Sequence, residues 1–319
     1  MKTIKLKACA MDRLNDIAEK REKLADLLKN KDNRVVLHNW LKTELAYTSN
    51  AIEGNTLTRE ETTLVIEEGI TAGSKPLKHY QEARNHAAAY DFVLETAKAR
   101  TPATESTVLA LHKIILSGID DTNAGFYRAV KVRISGSAVI LPNPVKVPDL
   151  MAAFDAWLKN DATAEPLKAI EAHYRLVSIH PFVDGNGRTA RLLMNLMLLE
   201  SGYSPIIIRP RDRKRYLSAL EKYQTTENGD AYRTFMLESL SRSLSAAIDL
   251  LDTSKPDASG QKLMKIGDFA KLCGVPASSV RYWVKVGKLS PAARTDSDYA
   301  LFSENQIADV QALNKGKIK

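Results

Sequence analysis

The sequence predicts a mainly α protein with one short β-hairpin and a small helix-turn-helix module at its C-terminal end. Three observations carry that prediction. Apolar residues recur at helical spacing through most of the 319 residues. The texture changes once, between Val130 and Ile140, where Val and Ile crowd around Ser135-Gly136-Ser137. A polar stretch with Pro and Gly at 252–260, DTSKPDASG, then sets off a final basic segment.

Taken in order, Asp12 to Lys29 places Leu14, Ile17, Ala18, Leu24 and Leu27–Leu28 on a helical stripe, and Val35 to Tyr47 repeats the pattern. Thr58 with Glu61 three residues later has the form of a capping box opening a helix toward Glu68, which Gly69 and Ala72-Gly73-Ser74 end. His79 to Lys98 is an Ala-rich helix, and Ser106 to Leu116 is another, stopped by Gly118. Val130 to Ile140 reads as the hairpin, closed by Pro142, Pro144 and Pro148. Helical patterns resume at Asp149–Lys159, Pro166–His180, Thr189–Glu200, Arg213–Gln224 and Ala231–Leu251. The expected domains are an N-terminal helical region over 1–100, a core over 101–251, a linker over 252–260 and a terminal module over 261–319.

Composition sets limits on function. Hydrophobic residues make up 44% and charged residues 26%, values of a folded chain rather than a disordered one. Two cysteines, Cys9 and Cys273, exclude a disulfide framework and a cysteine-rich zinc site, and point to a reducing compartment. No run approaches 18 apolar residues and the N-terminus has no h-region, so the expectation is a cytoplasmic protein without a membrane span. The net charge of +8 is uneven, since 261–319 carries ten Lys and Arg against five Asp and Glu. That bias suits a nucleic-acid contact and equally suits a solvated basic tail.

The chemistry concentrates in His180-Pro181-Phe182-Val183-Asp184-Gly185-Asn186-Gly187-Arg188-Thr189-Ala190-Arg191. Gly185, Asn186 and Gly187 tolerate positive φ and make a tight loop before a helix starting near Arg188. Consecutive N–H groups there form an anion-binding nest. Arg188 and Arg191, three apart, can share a helix face and bracket a phosphate chain. Asp184 is a hard oxygen donor suited to Mg²⁺, and His180 a base that titrates near neutral pH. A dinucleotide fingerprint fails because Ile170 to Ile179 is not strand-like, an EF-hand fails because its last acid position is Asn195, and no P-loop occurs.

The twelve-residue string resembles the signature of the Fic family, H-P-F-x-[D/E]-G-N-G-R-x-x-R, at every specified position. Gly125-Phe126-Tyr127-Arg128 and the hairpin up to Pro144 resemble the family's flap region, and the likeness runs from Ser106 to about Leu240. The resemblance implies a Fic-type helical core and transfer of AMP from ATP to a protein hydroxyl with release of pyrophosphate. His180 resembles the general base, Asp184 the Mg²⁺ ligand, Gly185, Asn186 and Gly187 the phosphate nest, Arg188 the β-phosphate contact and Arg191 the γ-phosphate contact. Asn195 either reaches the nucleotide or caps a helix contact. Tyr216, Leu220 and Tyr223 either wall the adenine or are ordinary core. The polar contact to the base falls on Gln224 or Asn228. The flap, with Ile134, Ser135, Gly136 and Ser137 as its edge, would receive a target segment as an added strand. The remaining histidines, His38, His79, His86, His112 and His173, read as structural or surface residues.

Ser49-x-x-x-Glu53-Gly54 resembles the family's inhibitory motif. Ser49 and Glu53 sit one turn apart, and the Glu53 carboxylate could pair with Arg191 at the γ-phosphate position. Lys265 to Trp283 reads as helix, Gly-containing turn, helix, with Ser278 as cap and Ser279, Arg281 and Tyr282 near the exposed start of the second helix. Gly287 to Pro291 followed by Tyr299 to Phe302 reads as a wing, and the module resembles a MerR-like DNA-binding head, a fold that also docks proteins. The expected function is a self-inhibited protein adenylyltransferase using ATP and Mg²⁺, acting on a protein target or on itself. Removal of AMP, with Glu53 positioning a water, and a nucleotide-sensing DNA-binding regulator are the alternatives. A homodimer is left open.

Overall fold

The computed structural model describes residues 8–71, 74–252, 263–294 and 300–316. The chain is mainly helical and divides into two compact units, one built from Met1–Ala25 with His38–Leu244 and one from Asp26–Leu37 with Ser245–Lys319. Its first ten helices are α1 (Ala8–Leu27), α2 (Lys31–Ile52), α3 (Arg59–Glu67), α4 (Leu77–Lys98), α5 (Glu105–Leu116), α6 (Val147–Asn160), α7 (Leu167–Ile179), α8 (Asn186–Glu200), α9 (Arg213–Thr226) and α10 (Asp230–Leu251). Across the expected boundary near residue 100, α4 packs on both α5 and α8.

Helix α8 is the axis of the first unit. Leu192, Leu193, Met194, Leu196, Met197 and Leu198 are all buried, so the helix is apolar around its circumference. A helix of that kind must be surrounded, and α4, α5 and α7 pack around it. Its N-terminus is therefore fixed at the end of the α7–α8 loop. Upstream, Thr58 Oγ1 accepts from Glu61 N at 3.1 Å and Glu61 Oε2 accepts from Thr58 N at 2.8 Å, the expected capping box. A box of this type stabilises a helix start by about 1 kcal/mol.

The segment 130–143 differs from expectation. A turn does form at Ile134–Ser137, closed by Ser137 N donating to Ile134 O at 3.2 Å. No strand ladder flanks it among the described residues. Its backbone groups bond to side chains instead: Arg128 takes the carbonyls of Val130 and Pro142, and Glu221 takes the N–H of Ala138.

In the second unit, β1 (Met264–Lys265), α11 (Ile266–Cys273), α12 (Ala277–Lys285), β2 (Ala293–Arg294), β3 (Ala300–Phe302) and α13 (Ile307–Asn314) enclose their own core. The antiparallel sheet has the order β1-β3-β2, pairing Lys265 with Leu301 and Ala293 with Leu301. Phe269 and Phe302 stack at 4.7 Å above Val280 and Val310. Cys273 is buried there, as a small apolar residue. The cap of α12 is Pro276 without a side-chain bond, so Ser278 is not the cap; the helix starts two residues earlier than that reading allows. The linker from residue 253 and wing residue Tyr299 lie outside the described residues, as does the side chain of Cys9.

Candidate functional site

The loop between α7 and α8 is held by its own residues. His180 caps α7 in the left-handed region at φ 51°, turning the chain out of the helix. Asn186 folds back on Phe182, its Oδ1 accepting from Phe182 N and its Nδ2 donating to Phe182 O, both at 2.9 Å. Gly185 caps α8 at φ 77° and no side chain caps the helix, so the N–H groups of the first turn face the loop. A Cβ on Gly187 would collide with Oε1 of Glu53. Gly187 is thus the residue that lets a carboxylate reach the backbone at this helix end.

That carboxylate belongs to the end of α2. Arg191 Nη2 donates to Glu53 Oε1 at 2.7 Å and to Ser49 O at 3.0 Å, and Arg191 Nε donates to Ser49 Oγ at 2.9 Å. The Arg191 side chain is 6% exposed and that of Glu53 39%. The sequence places Ser49, Glu53 and Arg191 in one constellation, and the structure brings those three together. Behind Arg191 runs a buried chain of donors. The Tyr216 hydroxyl lies beside Arg191 and bonds His173 Nε2 at 2.9 Å. His173 Nδ1 bonds the Tyr232 hydroxyl at 2.7 Å, which donates to Ile170 O at 3.2 Å. Because Tyr232 donates onward, His173 carries its proton on Nδ1 and accepts from Tyr216. Burial, and then Arg191, push the His173 pKa down to about 3, so the ring is neutral.

His180 is half-buried, with Nδ1 3.3 Å from Val177 O. An Nδ1–H donated there leaves Nε2 as the free acceptor. Burial lowers its pKa from the ordinary value; the Val177 carbonyl acts against that, and Arg128 adds to it. The His180 carbonyl accepts from Arg128 Nε at 2.8 Å. Arg128 also donates through Nη1 to Val130 O at 3.1 Å and through Nη2 to Pro142 O at 2.7 Å. This buried arginine binds both legs of the 130–143 segment to the backbone of His180.

Asp184 is open to solvent at 52% side-chain exposure. Burial raises its pKa, but Arg188, the Gly185 N–H and Lys78 outweigh that and hold it below the usual carboxylate value. Arg188, read from sequence as a phosphate contact, is buried at the start of α8. Its side chain is 2% exposed and donates to Glu82 Oε1 at 3.1 Å and to Asp184 Oδ1 at 3.3 Å. It faces a buried acid on α4 and orients Asp184.

The sequence leaves Tyr216, Leu220 and Tyr223 as adenine wall or as ordinary core. Tyr216 and Leu220 are buried core, Tyr216 through the His173 bond. Tyr223 is half-buried, stacked on Tyr174 at 3.6 Å, with its hydroxyl donating to Glu171 Oε2 at 3.1 Å. Asn195 clasps the backbone of Ile206, so its contact is structural. Gln224 donates to Ser178 Oγ at 3.2 Å, while Asn228 Oδ1 accepts from Asp230 N at 3.1 Å, at the start of α10. Among the described residues, no group of three or more His, Cys, Asp or Glu side chains could hold a metal.

Several residues were not legible as parts of the site. His112, read as structural, stacks on Phe182 at 3.6 Å, accepts from Gly125 N at 2.9 Å and bonds Asp184 O at 3.0 Å. Glu221 accepts from Ser137 Oγ at 2.7 Å and Ala138 N at 2.9 Å, tying the flap turn to α9. Arg213 Nε donates to Ile52 O at 2.6 Å, capping α2 next to Glu53. All three are long-range contacts without a sequence spacing; only the Gly125–Arg128 segment carried a signal.

Residues 102–198 match the model of the Fic/DOC family, and residues 265–302 match that of the MerR family regulatory protein. The chain is 36% identical over 178 residues to the protein adenylyltransferase Fic of Drosophila melanogaster, a match covering 55% of this chain and 36% of that protein. It therefore spans about a third of the length of the curated relatives it matches. Its fold is similar to that of a Fic domain containing signaling protein from Bacteroides thetaiotaomicron, with a TM-score of 0.67 and 28% identity, covering 74% of this chain and 96% of that one. It is also similar to Fic-1 from C. elegans, with a TM-score of 0.67 and 27% identity, covering 76% of this chain and 72% of that one. No described helix is long and apolar enough to cross a membrane.

Proposed function

We propose that this chain is a self-inhibited protein adenylyltransferase, moving AMP from ATP to a Tyr, Ser or Thr hydroxyl of a protein. One observation supports the reading most directly: the Glu53 carboxylate lies on Arg191 and against Gly187, at the open N-terminus of α8. A helix N-terminus with an unsatisfied first turn and an arginine one turn on is a phosphate site. Here an internal anion occupies it.

His180 Nε2 takes the proton of the acceptor hydroxyl. The oxygen forms a bond to the α-phosphorus, the bond to the bridging oxygen breaks, and pyrophosphate leaves. Burial keeps the base neutral at pH 7, so it is ready to accept that proton. Arg191 holds the terminal phosphate once Glu53 yields, and Arg188 keeps Asp184 aimed. The single exposed carboxylate of Asp184 fits Mg²⁺, which takes one or two protein carboxylates and draws its other ligands from phosphates and water. Such an ion would supply neutralisation of phosphate charge.

The test is incubation of the full chain with ATP labelled on the α-phosphate. Label on protein, lost in His180→Ala, supports the reading. Tight ATP binding without transfer in both wild type and Glu53→Gly supports a nucleotide sensor, and release of AMP from a modified protein supports the reverse reaction.

The match of residues 265–302 favours a second role, DNA binding through α12. Tyr282 is exposed on that helix, beside Arg281. Salt-dependent retention of a duplex by the full chain, weakened in Tyr282→Ala, checks it.

A further inference from the structure

The flap segment carries a charge pattern that the adenylyltransferase reading does not use. From Thr122 to Pro148 there is no acidic residue, while Arg128, Lys131, Arg133 and Lys146 are all basic. Arg128 is buried in its clamp. Lys131, Arg133 and Lys146 are exposed, and no described carboxylate forms an ion pair with any of them. Exposure alternates along both legs: Lys131 and Arg133 point outward around half-buried Val132 and Ile134, and Ala138 and Ile140 outward around half-buried Val139. Ile140 is 95% exposed.

The two legs are not equivalent. On the second leg, Glu221 already holds the Ala138 N–H and Ser137 Oγ against α9. The first leg has no such latch, and over 131–133 the described residues show no backbone–backbone bond. Its polar backbone groups are open to a strand. That leg also starts at the Arg128 clamp, which bonds the carbonyls of Val130 and His180 at once. A segment seated on it is held in register with the base.

We infer that the open leg 131–134 receives an extended, acidic segment of the target protein, whose carboxylates face Lys131 and Arg133. The inference rests on the proposal that the chain modifies proteins, and it adds the chemical class of the segment recognised. Backbone pairing supplies the register, and the two cations supply the selection. No described ion pair must break for Lys131 and Arg133 to meet a bound acid, and both cations repel a like-charged segment.

The test uses the full chain and two fluorescein-labelled peptides of equal length. Each has one Tyr flanked by Val; one alternates Val with Glu and the other Val with Lys. Binding is read by anisotropy at low and at high salt, and AMP transfer to the same peptides is read separately. The acidic peptide should bind about tenfold more tightly at low salt, with the difference fading at high salt. The Lys131→Glu/Arg133→Glu variant should lose or invert the preference, while Lys214→Glu, an exposed charge reversal on α9, should keep it. A thermal melt confirms that the double variant is folded. Equal binding of the two peptides, or a preference that survives the double reversal, overturns the inference. Transfer to both peptides without preference overturns it too while leaving the catalytic proposal standing. Preference without any transfer supports the docking site and counts against the catalytic proposal.

Discussion

Replacing Glu53 with Gly should raise AMP transfer. The perturbation removes one charge-assisted bond, Arg191 Nη2 to Glu53 Oε1 at 2.7 Å. Bonds of this kind contribute about 1.5–3 kcal/mol when sheltered. Glu53 is 39% exposed, so the lower part of that range applies after solvent screening. About 1.5 kcal/mol corresponds to roughly a tenfold higher population of the state open to the terminal phosphate, and the rate should rise by about the same factor. Arg191 itself should stay in place, because Ser49 Oγ and Ser49 O hold the same guanidinium independently. The assay is transfer of labelled AMP to a saturating acceptor with ATP in excess. Arg191→Ala should lower the basal rate, and Glu53→Gly added to it should give little further change, since the phosphate has lost its anchor. A Glu53→Gly protein no faster than wild type would refute the reasoning. So would an equal gain in the Arg191→Ala background, which would place the brake elsewhere.

His180→Ala should reduce transfer by about 10²–10⁴-fold while leaving ATP affinity within a small factor, checked by calorimetry beside the rate. The acid limb of the rate should lie below the ordinary histidine value of 6.5, because burial lowers the His180 pKa and protonation removes the base; a limb above 6.5 contradicts the assignment. Arg128→Lys should lower transfer at least about tenfold with unchanged ATP binding, since one ammonium cannot span the three carbonyls of His180, Val130 and Pro142, and loss of ATP binding would instead indicate misfolding. Acid should destabilise the first unit: burial holds His86, His173 and His112 at pKa values of about 3, 3 and 4, so the unfolded chain binds more protons below pH 6.5. Stability should fall with decreasing pH by up to about 4 kcal/mol per pH unit between pH 6 and pH 4, read from melts, and a flat profile contradicts the buried neutral rings.

The parts legible in the sequence are those whose cause is local. The capping box at Thr58 needs two residues three apart, and the anion loop needs Gly185, Asn186 and Gly187 in succession before a helix. The turn at Ser135-Gly136 forms where the pattern puts it. The legs beside it do not form a ladder, because that depends on which partner each backbone group finds, and Arg128 and Glu221 reach them first. The partner of Arg188 was hidden for a similar reason. The spacing from Arg191 says that both arginines lie near one face of α8, but the acid that draws Arg188 inward, Glu82, is 106 residues away on α4. Tyr216, Leu220 and Tyr223 at i, i+4 and i+7 define a stripe, and a stripe has the same period whether it faces a ligand or a core.

The brake proposed for Glu53 is built so that little must move to release it. The α2 end is pinned at two points just before Glu53: Ser49 bonds Arg191, and Arg213 caps Ile52 at 2.6 Å. The anchor is pinned as well, through Ser49 and the Tyr216–His173–Tyr232 chain that ends on Ile170 O. Between these fixed parts, the Glu53 side chain is more than a third exposed and bonds Arg191 Nη2 at 2.7 Å. A rotation of that side chain frees both the Arg191 Nη2 donor and the space over Gly187, without unfolding α2 or unseating Arg191. Relief of the proposed inhibition would therefore require only that an anion compete with one carboxylate for a site already assembled. The energy at stake is that of one exchanged charge-assisted bond rather than of a helix undocking.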